Sequence, residues 1–332
     1  MNFKTSSSLV LIVVFTILIC TLNLSCKNQD KTELKPPHIV FVIGDEEYRS
    51  EESMPMLAAL AEKTFNAEVS LCFSVDSAGF IDPNRLDHIE NLEVLKEADL
   101  MVMFARFRAL PDVEVSHILE YVESGKPVVG FRTSTHAFLY KKDQSKTYLN
   151  NEWPTKVFGQ QWITHHGHFS DGNKPLTEVS IIPTKIDHPI LKGFNPFPAY
   201  SWLYHVDGGK WSLFGDSAPL LSGTALRSNH QENDRLEEFP LTNPVAWTKT
   251  YTGTQSEMPA RVFFTTLGHP YDFKNENMRR LALQGMMWAL GQEDLIPEEG
   301  MDVSLSTPYK PNNSGFGKKF KQGLRPTIYD NQ

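Results

Sequence analysis

The chain is short of cysteine, has no excess of positive charge and carries no glycine-rich phosphate signature. Three cysteines in 332 residues leave little room for a disulfide framework. Cys20 lies in an apolar N-terminal run, Cys26 just beyond it, and only Cys72 falls in the body of the sequence. An internal disulfide in a mature domain is therefore excluded, and Cys72 reads as a small buried hydrophobe. Lysine and arginine total 32 against 40 acids, a net charge of −8, so there is no basic footprint for nucleic acid. Neither a P-loop nor a dinucleotide fingerprint is found, so no nucleotide cofactor is expected. No internal repeat is found.

What is present begins with an apolar run from Leu9 to Leu22 behind Lys4. It is too short and wrongly flanked for a membrane span. It ends in Leu22-Asn-Leu-Ser-Cys26, which resembles a bacterial lipoprotein signal with Cys26 as the lipidated residue; Asn23 departs from the usual aliphatic residue there. Residues 1–26 are read as signal and anchor, and 27–37 as a polar tether. An ordinary cleaved signal and an uncleaved anchor are the alternatives. Each places the rest outside the cytoplasm, in the periplasm or at the cell surface, with membrane attachment through the lipid in the first case.

Beyond the tether, short β-branched runs alternate with segments of helical spacing. Strands are expected at 38–44, 68–74, 99–104 and 127–131, with helices at 53–65 and 111–123. Short links between such elements imply an α/β fold, a mostly parallel central sheet with helices on both faces. The stretch Lys126–Phe138 stands out. A buried strand stops abruptly in Arg132, Thr133, Ser134, Thr135 and His136, and a helix is expected to follow from Ala137. This is the layout of a nucleophile elbow, and ligands collect at the carboxyl ends of such strands. With no cysteine in the elbow, thiol catalysis there is excluded. Further on, strands are expected at 178–183, 220–224, 245–250 and 261–267, and helices at 151–158 and 275–290. Residues 298–332, rich in Pro, Gly and Lys, read as a surface strap or a disordered tail.

The ordered blocks His38–Val42, Asp45–Tyr48, Lys126–Phe138, Trp162–Gly167, Pro244–Trp247 and Arg261–Gly291 resemble the ThuA-like family, named for trehalose utilisation. That family lies within the class I glutamine amidotransferase-like (flavodoxin-like) fold. The resemblance covers a domain of residues 38–291, and 292–332 look like the extension of a secreted subgroup. In amidotransferases of this fold the elbow carries a Gly-x-Cys nucleophile and a late strand supplies His-Pro-Glu. Here Arg132 occupies the cysteine's place, and His269-Pro270 is followed by Tyr271 and Asp272. A guanidinium stays protonated and cannot be the nucleophile, so the chain is not expected to be a glutamine amidotransferase.

The expected catalytic residues are His269 as acid–base, Arg132 as a cationic fork, and Asp45 and Glu46 from the acidic cluster Asp45–Glu47. Thr133, Ser134, His136, Arg106, Arg108, His165, His166, Trp202 and Tyr204 are expected to bind substrate, with Trp211 a further aromatic candidate. Bland roles compete for each: helix capping by Thr133 or Ser134, core packing by the aromatics, dipole pairing by the acids. His165, His166 and His168 are candidates for a divalent metal, although sequence neighbours seldom converge on one ion. Three functions stay open. One is an enzyme of carbohydrate processing acting on a keto-sugar or disaccharide, as the family name implies. The others are a non-catalytic sugar-binding lipoprotein and a metal-assisted hydrolase. The expected partner is a small polar ligand, a sugar; oligomeric state is not legible.

Overall fold

A computed structural model describes residues 35–206 and 213–326. The expected signal with Cys20 and Cys26, the expected tether up to Leu34, and Trp211 lie outside the described residues. One nine-stranded sheet runs through the fold in the order β2-β1-β3-β4-β9-β8-β7-β5-β6. Its first half is parallel: β1 (His38–Gly44), β2 (Glu68–Phe73), β3 (Leu100–Ala105), β4 (Val128–Phe131) and β9 (Ala260–Thr265). The second half is antiparallel, through β8 (Thr242–Tyr251), β7 (Ala218–Ala225), β5 (Thr177–Ile181) and the two-residue β6 (Pro198–Ala199). The sheet is thus mixed, parallel where it carries the expected α/β alternation.

The two-residue period of the strands sorts the core onto two faces. Ile39, Phe41 and Ile43 of β1, with Leu100, Val102 and Phe104 of β3, face one side. There they meet α1 (Ser50–Phe65) and α5 (Glu276–Ala289) through Met54, Leu57, Met278 and Leu281. Val40, Val42, Met101 and Met103 face the other side, with Val115 and Ile118 of α2 (Asp112–Glu123) and Val157 and Phe158 of α3 (Tyr148–Phe158). A short helical turn, α4 (Asn229–Glu232), sits beyond β7. Gly130 is needed for close packing: a Cβ there would lie 2.6 Å from both Phe158 and Phe264 ring atoms.

Strand β1 is followed by β2 on one flank, whereas β3 lies on the other. The sheet's switch point therefore falls between β1 and β3, and their carboxyl ends open a crevice there. The loops Asp45–Arg49 and Arg106–Arg108 leave from that edge, beside Arg132 after β4 and Thr266–His269 after β9.

The chain after β4 differs from expectation. Arg132–His136 forms a single 3-10 turn and no α-helix follows at Ala137. The segment instead folds back on the β3 loop, where Arg108 N donates to Ala137 O at 2.6 Å and Leu139 N to Arg108 O at 2.9 Å. Backbone bonds to a neighbouring loop have replaced those of the helix. The C-terminal extension, described to Pro326, runs as a strap over the carboxyl edge of the sheet.

Candidate functional site

Arg132 sits at the tip of the elbow with φ 40°, the left-handed backbone that a sharp strand-to-turn reversal imposes. Its side chain is fully buried. Nη1 donates to Trp202 O at 3.1 Å and to Thr266 O at 2.8 Å; Nη2 donates to Tyr48 Oη at 3.0 Å. The rings of Tyr48 and Tyr204 lie 4.2 and 4.5 Å from the guanidinium carbon. The cation is therefore caged by aromatic faces and carbonyls, a sound way to hold a buried charge without a carboxylate. The guanidinium lies beneath the crevice and does not line it. It ties β4, β9 and the Trp202 segment together, so its expected contact with ligand becomes a positioning one.

The acidic loop divides into separate tasks. The Asp45 carboxylate accepts from Thr133 Oγ1 and from the backbone N–H groups of Glu47 (2.7 Å) and Tyr48 (2.5 Å). It thus folds the loop onto the elbow. Glu46 is clamped between Arg106 and Arg108, with 2.9 Å to Arg108 Nη2. Arg108 is fully buried and also donates to Ser74 Oγ and to the carbonyls of Pro83 and Arg85. Asp45 is thereby occupied by Thr133, and Glu46 by Arg106 and Arg108, so the polar groups expected to meet substrate are bonded within the protein. Ser134 Oγ likewise donates to Met103 O at 2.9 Å. His136 packs its ring on Phe107 and Trp162, and burial holds its pKa well below the usual range.

Glu47 is the exception. It lines a cleft of about 780 Å³ at this edge of the sheet. Burial pushes its carboxyl up to about 7, against the opposing pull of Arg106 and with some help from Asp45. Arg106 Nε stands 3.3 Å from Glu47 Oε2. Trp202 and Tyr271 form an aromatic part of the wall, and Asp171, Asn173 and the strap residues Asn312 and Asn313 form a polar part. Nothing in the local sequence ranks Glu47 above Asp45 and Glu46. That ranking depends on which acids the distant Thr133, Arg106 and Arg108 occupy. Tyr271 is the residue standing where the fold's usual acid would be, the single signal that marked it.

His269 is fully buried at the rear of this wall, near Trp202 and Tyr271. Nδ1 accepts from Tyr271 N at 3.1 Å, so the proton sits on Nε2, 3.0 Å from Ser314 Oγ of the strap. Burial, then the Arg132 charge, holds its pKa well below 6.5. A neutral imidazole with that tautomer donates a proton outward and has no free lone pair to act as base. The acid–base role expected of His269 thus does not match its bonding here. Asp272, two residues after Pro270, organises the same turn: it accepts from the N–H groups of Gly268, His269 and Tyr200 and from Ser201 Oγ.

The three clustered histidines diverge. His165 Nδ1 meets His166 O at 3.0 Å, His166 Nδ1 meets Ser228 Oγ at 2.7 Å, and His168 Nε2 meets Glu232 at 2.7 Å. Among the described residues no group of three or more His, Cys, Asp or Glu side chains is arranged to hold a metal ion. The chemistry of a metal-assisted hydrolase therefore has no ligand set in this cluster. His165 does serve the site indirectly, its ring packing edge-on between Phe169 and Trp202. Tyr204 and Trp202 are buried, the first closing the Arg132 cage and the second reaching the cleft.

The family model for ThuA, trehalose utilisation, matches residues 39–289. The chain belongs to that family. Among solved structures it is similar to a ThuA-like protein from Parabacteroides merdae, at 18% identity and a TM-score of 0.50 over 84% of this chain and 100% of that one. It is also similar to a ThuA-like protein from Bacteroides uniformis, at 16% identity and a TM-score of 0.49 over 77% of this chain and 93% of that one. No curated protein matches the chain. At 18% identity the likeness to the Parabacteroides merdae protein is one of fold alone.

Proposed function

We propose that this ThuA-family protein acts outside the cytoplasm, held by a lipid on Cys26, and processes carbohydrate, a keto-sugar or disaccharide, in the cleft beside Glu47. The observation that supports this most is that the Glu47 carboxyl shares one cavity with aromatic faces and amide groups, where burial pushes it up to about 7. Aromatic faces suit the apolar side of a pyranose, and amides and carboxylates suit its hydroxyls. An acid–base group works best when its pKa is near the working pH. Glu47 gives a proton to, or takes one from, a carbonyl or hydroxyl of the bound sugar, and Arg106 steadies its anionic form. Arg132 and Asp272 hold the walls in place. Full-length protein is offered keto-disaccharides and their parent sugars, with Glu47→Gln beside the native chain. Loss of about 100-fold or more in kcat with binding retained is expected; undiminished turnover by the variant removes Glu47 from the chemistry.

A second reading is favoured by the sealing of Arg132 and His269: a sugar-binding lipoprotein without turnover. It predicts saturable binding of the same sugars and no conversion by native protein or variant.

A further inference from the structure

Two large apolar side chains on the rim of the cleft stay open to solvent. Phe169 is 77% exposed and Phe316 is 49% exposed, and both line the same cavity. They come from distant parts of the chain, one from the loop after the histidine cluster and one from the strap. Residue 316 also lies beyond the segment that the family model matches, which ends at 289.

Neither ring is loosely placed. Phe169 packs edge-on against His165 at 5.1 Å between centroids, and His165 in turn meets Trp202 at 6.1 Å. Phe316 stands between Gly315 (φ 137°) and Gly317 (φ 69°), backbone that glycine adopts without strain. Gly315 is pinned on both sides: its N–H donates to Glu47 O at 2.8 Å and its carbonyl accepts from Arg49 Nη2 at 2.6 Å. The Arg106 guanidinium, already stacked on Phe107 at 4.3 Å, lies 5.2 Å from the Phe316 ring centre. The strap is fastened on either side of the ring by Ser314 to His269 at 3.0 Å and by Lys321 to Glu52 at 2.5 Å. A Phe316 ring braced this firmly, with Arg106 over it and about half its surface still exposed, is preorganised for a partner.

We propose that Phe169 and Phe316 form an outer subsite that stacks a second sugar ring of the ligand, so that the strap sets the cleft's selectivity for sugars of two or more rings. This rests on the reading of the cleft as a sugar site. Glu47, Trp202 and Tyr271 serve the inner ring; the two phenylalanines serve the outer one. A cavity of about 780 Å³ accommodates more than a single hexose.

The test is titration of the full chain, by tryptophan fluorescence and calorimetry, with glucose, galactose, trehalose, cellobiose, lactose and maltotriose. Native protein is expected to bind a di- or trisaccharide more tightly than its component hexose. Phe316→Ala is expected to weaken the larger sugar about tenfold while leaving the hexose within twofold. Phe316→Tyr restores the affinity because it keeps a flat ring; Phe316→Leu, apolar but not flat, does not. Equal weakening of hexose and disaccharide by Phe316→Ala, with no recovery in Phe316→Tyr, makes the residue merely structural and overturns the subsite alone. So does unchanged affinity for both. Failure of native protein to bind any of the six sugars removes the sugar reading and the subsite with it.

Discussion

Replacing Glu47 by Gln should make the folded protein more stable at pH 8 and leave it unchanged at pH 4. The reason is linkage. Burial raises the Glu47 carboxyl from its ordinary 4.5 to about 7 in the folded state. The folded chain therefore holds a proton that the unfolded chain releases between those values. Stability is full below 4.5, falls as pH rises through that window, and levels off above 7. At about 1.4 kcal/mol per pH unit, the loss on the upper plateau is about 3 kcal/mol. Glutamine has the same shape and no charge, so the variant does not suffer that loss. Urea midpoints of both proteins at pH 4, 6 and 8 measure it. The difference should grow from near zero to about 3 kcal/mol in favour of the variant. Should Glu47→Gln prove less stable than native at pH 8, Glu47 is an ionised partner of Arg106, and the argument from burial fails.

Arg132→Met should cost about 2–4 kcal/mol in urea unfolding, because the Trp202 and Thr266 carbonyls lose their buried donor. Arg132→Lys should recover less than half, since one ammonium cannot span two carbonyls and the Tyr48 hydroxyl. Unaltered stability with abolished sugar binding would instead put the guanidinium in contact with ligand. Gly130→Ala should cost about 1–3 kcal/mol, since the added methyl meets Phe158 and Phe264 at 2.6 Å; a neutral result would show that the two rings have room to move.

The strands and helices were readable because each carries its own period. The apolar runs of β1, β3 and β4, and the stripe Met278-Leu281-Ala282-Met286 of α5, need no distant partner to be recognised. The general location of the site was readable for the same reason, since strand ends follow from strands. What the local sequence does not carry is which polar group is already occupied. Asp45, Glu46 and Glu47 are alike in a row; Thr133 takes the first, Arg106 and Arg108 take the second, and the third shares Arg106 at 3.3 Å while facing the cleft. Arg132 has the residue type of an anion receptor, yet the rings that enclose it lie 84 and 72 positions away in sequence, at Tyr48 and Tyr204. The helix expected after the elbow failed because the β3 loop competes for its backbone groups. The strap shows no apolar period, since isolated apolar residues such as Ile296, Met301 and Val303 pack into the core while backbone bonds and single polar side chains fasten the rest.

The central claim is that Glu47 is a carboxyl held near half-protonation in an open cleft. Carbon-13 NMR of the glutamate side-chain carboxyls, assigned by comparison with Glu47→Gln, reads that directly. One resonance absent from the variant should titrate with a midpoint near 7; a Glu47 resonance already fully ionised at pH 5 contradicts the account.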